Sequence, residues 1–117
     1  MALVVDDEEV VRTVVRRMLE RSGWEVVECG TAEQALDVLA DSTTWIDVVL
    51  CDLNLPGMSG SALTMRIAAA RPELASRVIL TSGDAGAVEG AASGRLMLAK
   101  PFSMLELESV VAAALAG

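Results

Sequence analysis

The chain has 117 residues and a mass of 12.2 kDa, with nine Lys plus Arg against 17 Asp plus Glu, a formal charge of −8 and no histidine. That length holds one domain, residues 1–117, with a real core. The missing histidine removes Ser-His-Asp and Cys-His catalysis and His-ligated zinc, and the acidity argues against nucleic acid or an anionic membrane as a partner of this chain alone.

Short β-branched runs alternate with segments of helical period. Leu3–Val5 reads as a buried strand. Val10, Val11, Val14, Val15, Met18 and Leu19 then recur as one apolar helical stripe, opposite Arg12, Arg16, Arg17, Glu20 and Arg21, and Gly23 ends that helix. Trp24–Cys29 reads as a second strand. Thr31 and Gln34 have the spacing of a capping box and open a helix to about Ala40. A loop over Asp41–Trp45 leads to the central strand, Asp47–Cys51. A second loop holds Pro56, Gly57 and Gly60, and the helix after it runs to about Arg71, where Pro72 stops it.

Arg77–Thr81 is the fourth strand. Asp84–Arg95 is expected to form a short, mobile fourth helix, weakened by Gly86, Gly90 and Gly94. Leu96–Ala99 is the fifth strand. Ser103 and Glu106 make a second capping box before a fifth helix striped by Met104, Leu107, Val110, Val111 and Ala114. Five strands alternating with five helices imply an α/β, doubly wound domain, its parallel sheet covered on both faces. This accounts for the high mean hydropathy of +0.49.

Cys29 and Cys51 lie in apolar runs and read as reduced, structural thiols of a cytoplasmic chain. Apolar runs stay short of the ~18 residues a membrane helix needs, and the first residues lack the basic region of a signal peptide. Trp24 and Trp45 are expected to pack, and Met18, Met65 and Met104 to fill the core.

In doubly wound sheets, ligands bind outside the carboxyl ends of the strands. Here strand one ends in Asp6-Asp7, strand three in Asp52, strand four in Thr81-Ser82 and strand five in Lys100-Pro101. Taken singly, each has a plainer reading. Asp6 or Asp7 could cap the first helix, Asp52 could open an Asx-turn, Ser82 could cap the next helix, and Lys100 could be a solvated charge. Their convergence on one sheet edge favours a site. All-oxygen donors select a hard cation, and a few carboxylates plus waters suit Mg²⁺. An ionised Asp52 beside that cation can attack phosphorus, with Lys100 and a hydroxyl neutralising the phosphoryl oxygens.

These residues resemble the receiver domain of two-component response regulators. The resemblance rests on Val4-Val5-Asp6-Asp7-Glu8, on the run from Asp47 to Gly60, on Ile79-Leu80-Thr81-Ser82-Gly83 and on Lys100-Pro101-Phe102, all in family order along essentially the whole chain. It implies a flavodoxin-like (βα)5 sandwich with strand order 2-1-3-4-5. It implies Asp52 as phosphoacceptor, Asp7 as direct Mg²⁺ ligand, Asp6 as a ligand through water and the Asn54 backbone carbonyl as a further one. Ser82 matches the switch hydroxyl and Lys100 the phosphate-binding lysine, joined by a cis bond to Pro101. Two departures stand out. Met97 occupies the position where the family usually has an aromatic switch residue, and the stretch between Ser82 and Lys100 is shorter than in chemotaxis-type members.

The expected function is phosphorelay signalling. Asp52 accepts a phosphoryl group from a phosphohistidine of a histidine kinase or histidine phosphotransfer protein, switching the surface of the fourth helix, fifth strand and fifth helix. The domain is not expected to be an enzyme beyond its own phosphorylation and dephosphorylation, with weak dimerisation at most. Polar Asn54 and Asp84 predict a labile phosphoryl group. Two other classes compete: an Mg²⁺-dependent phosphohydrolase with an aspartyl-phosphate intermediate, and an interaction module that is never phosphorylated. Asn54 stands where such hydrolases carry a second aspartate, and Met97 keeps the module in view. No basic helix-turn-helix follows, so transcriptional output is not expected from this sequence. The receiver of a hybrid sensor kinase is the favoured parent.

Overall fold

Strands made largely of Val, Leu, Ile and Ala, with most of their polar residues at the carboxyl ends, need cover on both faces. The computed structural model, which describes residues 1–83 and 96–116, supplies it. In chain order the elements are β1 (Ala2–Val5), α1 (Glu9–Arg21), β2 (Val26–Cys29), α2 (Ala32–Ala40), β3 (Val48–Asp52), α3 (Gly60–Ala70), a 3-10 turn (Pro72–Leu74), β4 (Val78–Ser82), β5 (Leu96–Ala99) and α4 (Met104–Ala116). The five strands pair in parallel in the order β2-β1-β3-β4-β5, as the resemblance implied.

Alternation along the strands divides the core in two. Leu3, Val5, Val49, Cys51 and Leu80 pack with Ala32, Ala35 and Leu39 of α2 and Leu63 and Ile67 of α3. Ala2, Val4, Val48, Leu50, Ile79 and Leu98 pack with Val15 and Leu19 of α1 and Leu107, Val111 and Ala114 of α4. Every residue of β1, β3 and β4 is buried, which fixes the strand register.

Helix starts follow the capping chemistry with one variation. At α4 the Ser103 Oγ accepts from Glu106 N–H at 3.1 Å, and Glu106 Oε1 accepts from Ser103 N–H at 3.0 Å, a complete box. At α2 Thr31 Oγ1 accepts from Gln34 N–H at 3.1 Å, but Gln34 Oε1 reaches back to Gly30 N–H at 2.8 Å rather than to the capping residue. Ser59 adds an unanticipated cap, accepting from Ala62 N–H at 3.1 Å. Pro72 ends α3 and also opens the 3-10 turn, which buries Leu74.

Several expectations need correction. The α1 stripe is not wholly buried: Val15 and Leu19 enter the core, whereas Val10 and Val14 face solvent, 78% and 52% exposed. Trp45 does not pack. It is exposed, and its indole N–H donates to Asp47 Oδ1 at 2.9 Å, so its polar edge fixes its place. Met65 is exposed rather than core filler, because α3 turns only Leu63 and Ile67 fully inward. The fourth helix expected over residues 84–95, with Gly86, Gly90 and Gly94, lies outside the described residues. Among the described residues no helix is long and apolar enough to cross a membrane.

Both cysteines are buried and free. Burial pushes the Cys29 thiol up to about 11, against the nearby Arg12 charge, and pushes Cys51 up to about 12 with help from the Asp52 and Asp6 carboxylates. At pH 8 about one Cys29 thiol in a thousand is then ionised. A thiol-reactive dye should label neither residue within minutes in the native protein and both in urea. Native labelling of either at the rate of free cysteine would contradict the packing of β2 and β3.

Candidate functional site

Parallel register builds the site. Val5 pairs with Cys51, so Asp6 and Asp52 follow side by side at the ends of β1 and β3. Asp52 pairs with Thr81 and Ser82 with Ala99, which sets Ser82 and Lys100 one step beyond. The sheet thereby gathers carboxylates, a hydroxyl and an ammonium on one edge.

Lys100 organises them. Its Nζ lies 2.7 Å from Asp6 Oδ2 and 3.5 Å from Asp52 Oδ2, and the Lys100–Pro101 bond is cis. The main chain around it is anchored by Lys100 N–H donating to Ser82 O at 2.7 Å and Leu53 N–H to Thr81 O at 2.8 Å. Asp6 is buried, and its Oδ1 accepts from Glu8 N–H at 3.0 Å, satisfying a donor at the start of α1. Asp52 Oδ1 accepts from Asn54 N–H at 3.2 Å. Both carboxylates are thus tethered by backbone as well as by lysine.

Asp6, Asp7 and Asp52 each bring a carboxylate oxygen to within 4.8 Å of the others, with Asp7 exposed and the other two buried. A pocket of about 320 Å³ opens there, lined by Asp7, Glu8, Asp52, Asn54, Gly83 and Lys100. Three carboxylates against one ammonium leave excess negative charge at a half-closed site. Burial, and then the Asp6 charge, raise Asp52 above the ordinary carboxyl range against the pull of Asn54 N–H and Lys100. Burial disfavours the charged Lys100, but its hydrogen bond and charge contact with Asp6, then Asp52, outweigh that and raise it. An all-oxygen, net-negative donor set of this kind fits a hard divalent cation.

The other candidates fall as follows. Asn54 is exposed at the pocket rim. Ser82 is fully buried at the same edge and does not line the pocket. Gly83 does line it, and among the described residues a Cβ there would meet nothing within 4 Å. Met97 is half-buried and packs against the core shared with α2 and α3. Asp84 lies outside the described residues.

Sequence reasoning missed the part played by Gly60. A Cβ on it would stand 2.5 Å from the Asp52 carbonyl oxygen and 2.8 Å from Leu53 Cα, while its N–H donates to Leu53 O at 2.8 Å. The first turn of α3 therefore presses directly on the main chain that carries Asp52. The signal was present in the Ser59-Gly60 pair, a capping residue followed by one with no side chain to clash.

With this geometry in hand, known proteins can be compared. A profile of the response regulator receiver domain matches residues 2–112. The chain is 34% identical over 112 residues to the two-component response regulator ORR26 of Oryza sativa subsp. japonica, covering 92% of this chain and 19% of that protein. It is similar to the solved receiver domain of NtrX from Brucella abortus, with 30% identity, a TM-score of 0.84, and 99% and 98% of the two chains covered. It is also similar to the receiver domain of the hybrid histidine kinase CckA, with 31% identity, a TM-score of 0.75 and 97% of each chain covered. The chain spans about a fifth of the length of the curated relatives it matches.

The raised carboxyl of Asp52 sets the sign of a stability test. Folding favours its protonated form, and that gain is lost as pH rises from the unfolded-state value through the folded one. At pH 7 the ionised carboxylate opposes folding. In a chelator at pH 7, Asp52→Asn should therefore raise the thermal midpoint, the gap closing as the pH falls through the carboxyl range. A midpoint lowered at pH 7 would contradict the charge balance described.

Proposed function

The chain belongs to the response regulator receiver domain family, and from that premise we propose that Asp52 is the phosphoacceptor of a phosphorelay, working with Mg²⁺. One observation carries this reading. The Lys100 ammonium stands between two buried carboxylates at the mouth of an open polar pocket, where it can meet the oxygens of an incoming phosphoryl group.

In this reading Asp6, Asp7, Asp52 and the Asn54 carbonyl hold Mg²⁺, with Asp6 acting through water. When bound, the ion screens the carboxylates and supplies positive charge to the phosphoryl oxygens. The steps belong to the chain's own residues. Asp52 Oδ attacks phosphorus, a P–O bond forms as the P–N bond to the partner's histidine breaks, and the imidazole leaves with that electron pair. Lys100 neutralises a phosphoryl oxygen, and the buried Ser82 hydroxyl turns toward the new group, shifting the strand end whose carbonyl accepts from Lys100 N–H. Dephosphorylation is a separate step: water attacks phosphorus, the P–O bond to Asp52 breaks, inorganic phosphate leaves and the Asp52 carboxylate is restored, with Asn54 at the pocket rim able to position the water.

The donor is a phosphohistidine of a histidine kinase or phosphotransfer protein, which lies outside these 117 residues. Exposed Val10 and Val14 border an apolar groove with Phe102 that reaches Lys100, suiting a partner helix that delivers its imidazole to the pocket. Residues 1–117 act as one cytoplasmic signalling domain, with its output carried by other parts of a longer protein or by a partner. The receiver of a hybrid sensor kinase fits this reading, given the likeness to the CckA receiver.

Incubation with Mg²⁺ and a small acyl-phosphate donor, followed by intact-mass measurement, tests the reading. Wild type should gain one phosphoryl mass, folded Asp7→Ala should lose nearly all labelling, and Asp52→Asn should gain none. Equal labelling of wild type and Asp52→Asn would reject it. Steady turnover of a small phosphoester would instead point to a phosphohydrolase.

A further inference from the structure

Arg12 lies outside the acidic pocket yet ties three elements to it. Its Nη1 donates to the Asp6 carbonyl oxygen at 2.8 Å, and its Nε donates to Glu28 Oε1 at 3.3 Å. Its own N–H opens the α1 ladder on Glu8 O at 2.9 Å. Glu28 pairs with Val4 across the β1–β2 register, and its other oxygen forms an ion pair with Arg16, Nε lying 2.9 Å away without hydrogen-bond alignment. One planar guanidinium thus joins the carboxyl end of β1, the edge strand β2 and the first turn of α1. Such bridging needs a rigid fork of donors, which arginine has and lysine lacks.

The surroundings are fitted to that fork. The Arg12 side chain is only 19% exposed. Gly30, at the end of β2, leaves it room: a Cβ there would stand 3.2 Å from Arg12 Nη1. Gly30 is in turn held by Gln34 Oε1, the contact that departs from the ordinary capping box.

The carbonyl that Arg12 holds belongs to the peptide joining Asp6 to Asp7. Fixing that oxygen fixes the peptide plane from which both carboxylates extend, the buried one toward Lys100 and the exposed one at the pocket rim. We propose that Arg12 is a positioning residue for the divalent cation, setting Asp6 and Asp7 in binding geometry through the carbonyl between them, with Glu28 holding the guanidinium in place. This rests on the reading that Asp6, Asp7 and Asp52 hold Mg²⁺.

Two effects of Arg12 oppose each other, and their signs separate the explanations. As a positive charge near an acidic site, it repels a cation, so removing it would tighten binding if charge were all it contributed. As a positioning group, its removal loosens the ligand pair and weakens binding. A group that merely stabilises the fold would change the melting temperature and leave the affinity of the folded protein unchanged.

The test is calorimetric titration of Mg²⁺ into the full chain as wild type, Arg12→Ala and Arg12→Lys, with thermal midpoints recorded in chelator. Arg12→Ala should bind Mg²⁺ about tenfold more weakly than wild type, the low end for groups that orient metal ligands. Arg12→Lys keeps the charge but carries all its donors on one nitrogen, and should fall between the two. Equal or tighter binding by folded Arg12→Ala would overturn the proposal. If Arg12→Ala does not fold, Arg12→Lys decides, and wild-type affinity in that variant would overturn it. Absence of Mg²⁺ binding by wild type would instead overturn the underlying reading of the acidic site.

Discussion

The ammonium of Lys100, 2.7 Å from Asp6 and 3.5 Å from Asp52, is the contact on which the site's electrostatics depend. Two carboxylates buried side by side bring like charge together where little water screens it. One lysine from the far edge of the sheet offsets that charge without cancelling it. The site is left short of positive charge and open to solvent. That shortage of positive charge suits a divalent cation.

Everything beneath the site keeps this arrangement from relaxing. Lys100 and Asp6 are 94 residues apart in sequence and meet because β5, β4, β3 and β1 are locked in register by buried residues on both faces. A one-residue slip of any central strand would exchange its inward residues between the two cores. It would also move the charged residue off the common edge. Gly60 adds a second restraint, because α3 can abut the Asp52 main chain only where no Cβ intervenes. Core packing and site geometry are therefore one constraint.

Much of this was legible in the sequence. Alternating β-branched runs and helical stripes gave the strands and their order of appearance, and strand ends pointed to Asp6, Asp7, Asp52, Ser82 and Lys100. Boundaries moved by a residue or two, as at β2, where Trp24 and Glu25 precede the strand. Val10 and Trp45 show what periodicity cannot supply. The stripe on α1 is wider than the face the sheet can cover, and Trp45, near a strand end, stays exposed with its indole N–H donating to Asp47. Arg12 shows a second limit. By period it belongs to the polar face of α1, and only the fold reveals that this face turns toward Glu28 and the Asp6 carbonyl. The order β2-β1-β3-β4-β5 was carried by family resemblance, since local sequence does not encode which strands pair.

The central claim is that the nucleophile is the Asp52 carboxylate. After treatment with Mg²⁺ and a small acyl-phosphate donor, reduction with borohydride converts an aspartyl phosphate to homoserine at the residue that carried it. Peptide sequencing should then find homoserine at position 52. Homoserine at position 6 or 7, with Asp52 intact, would contradict the account.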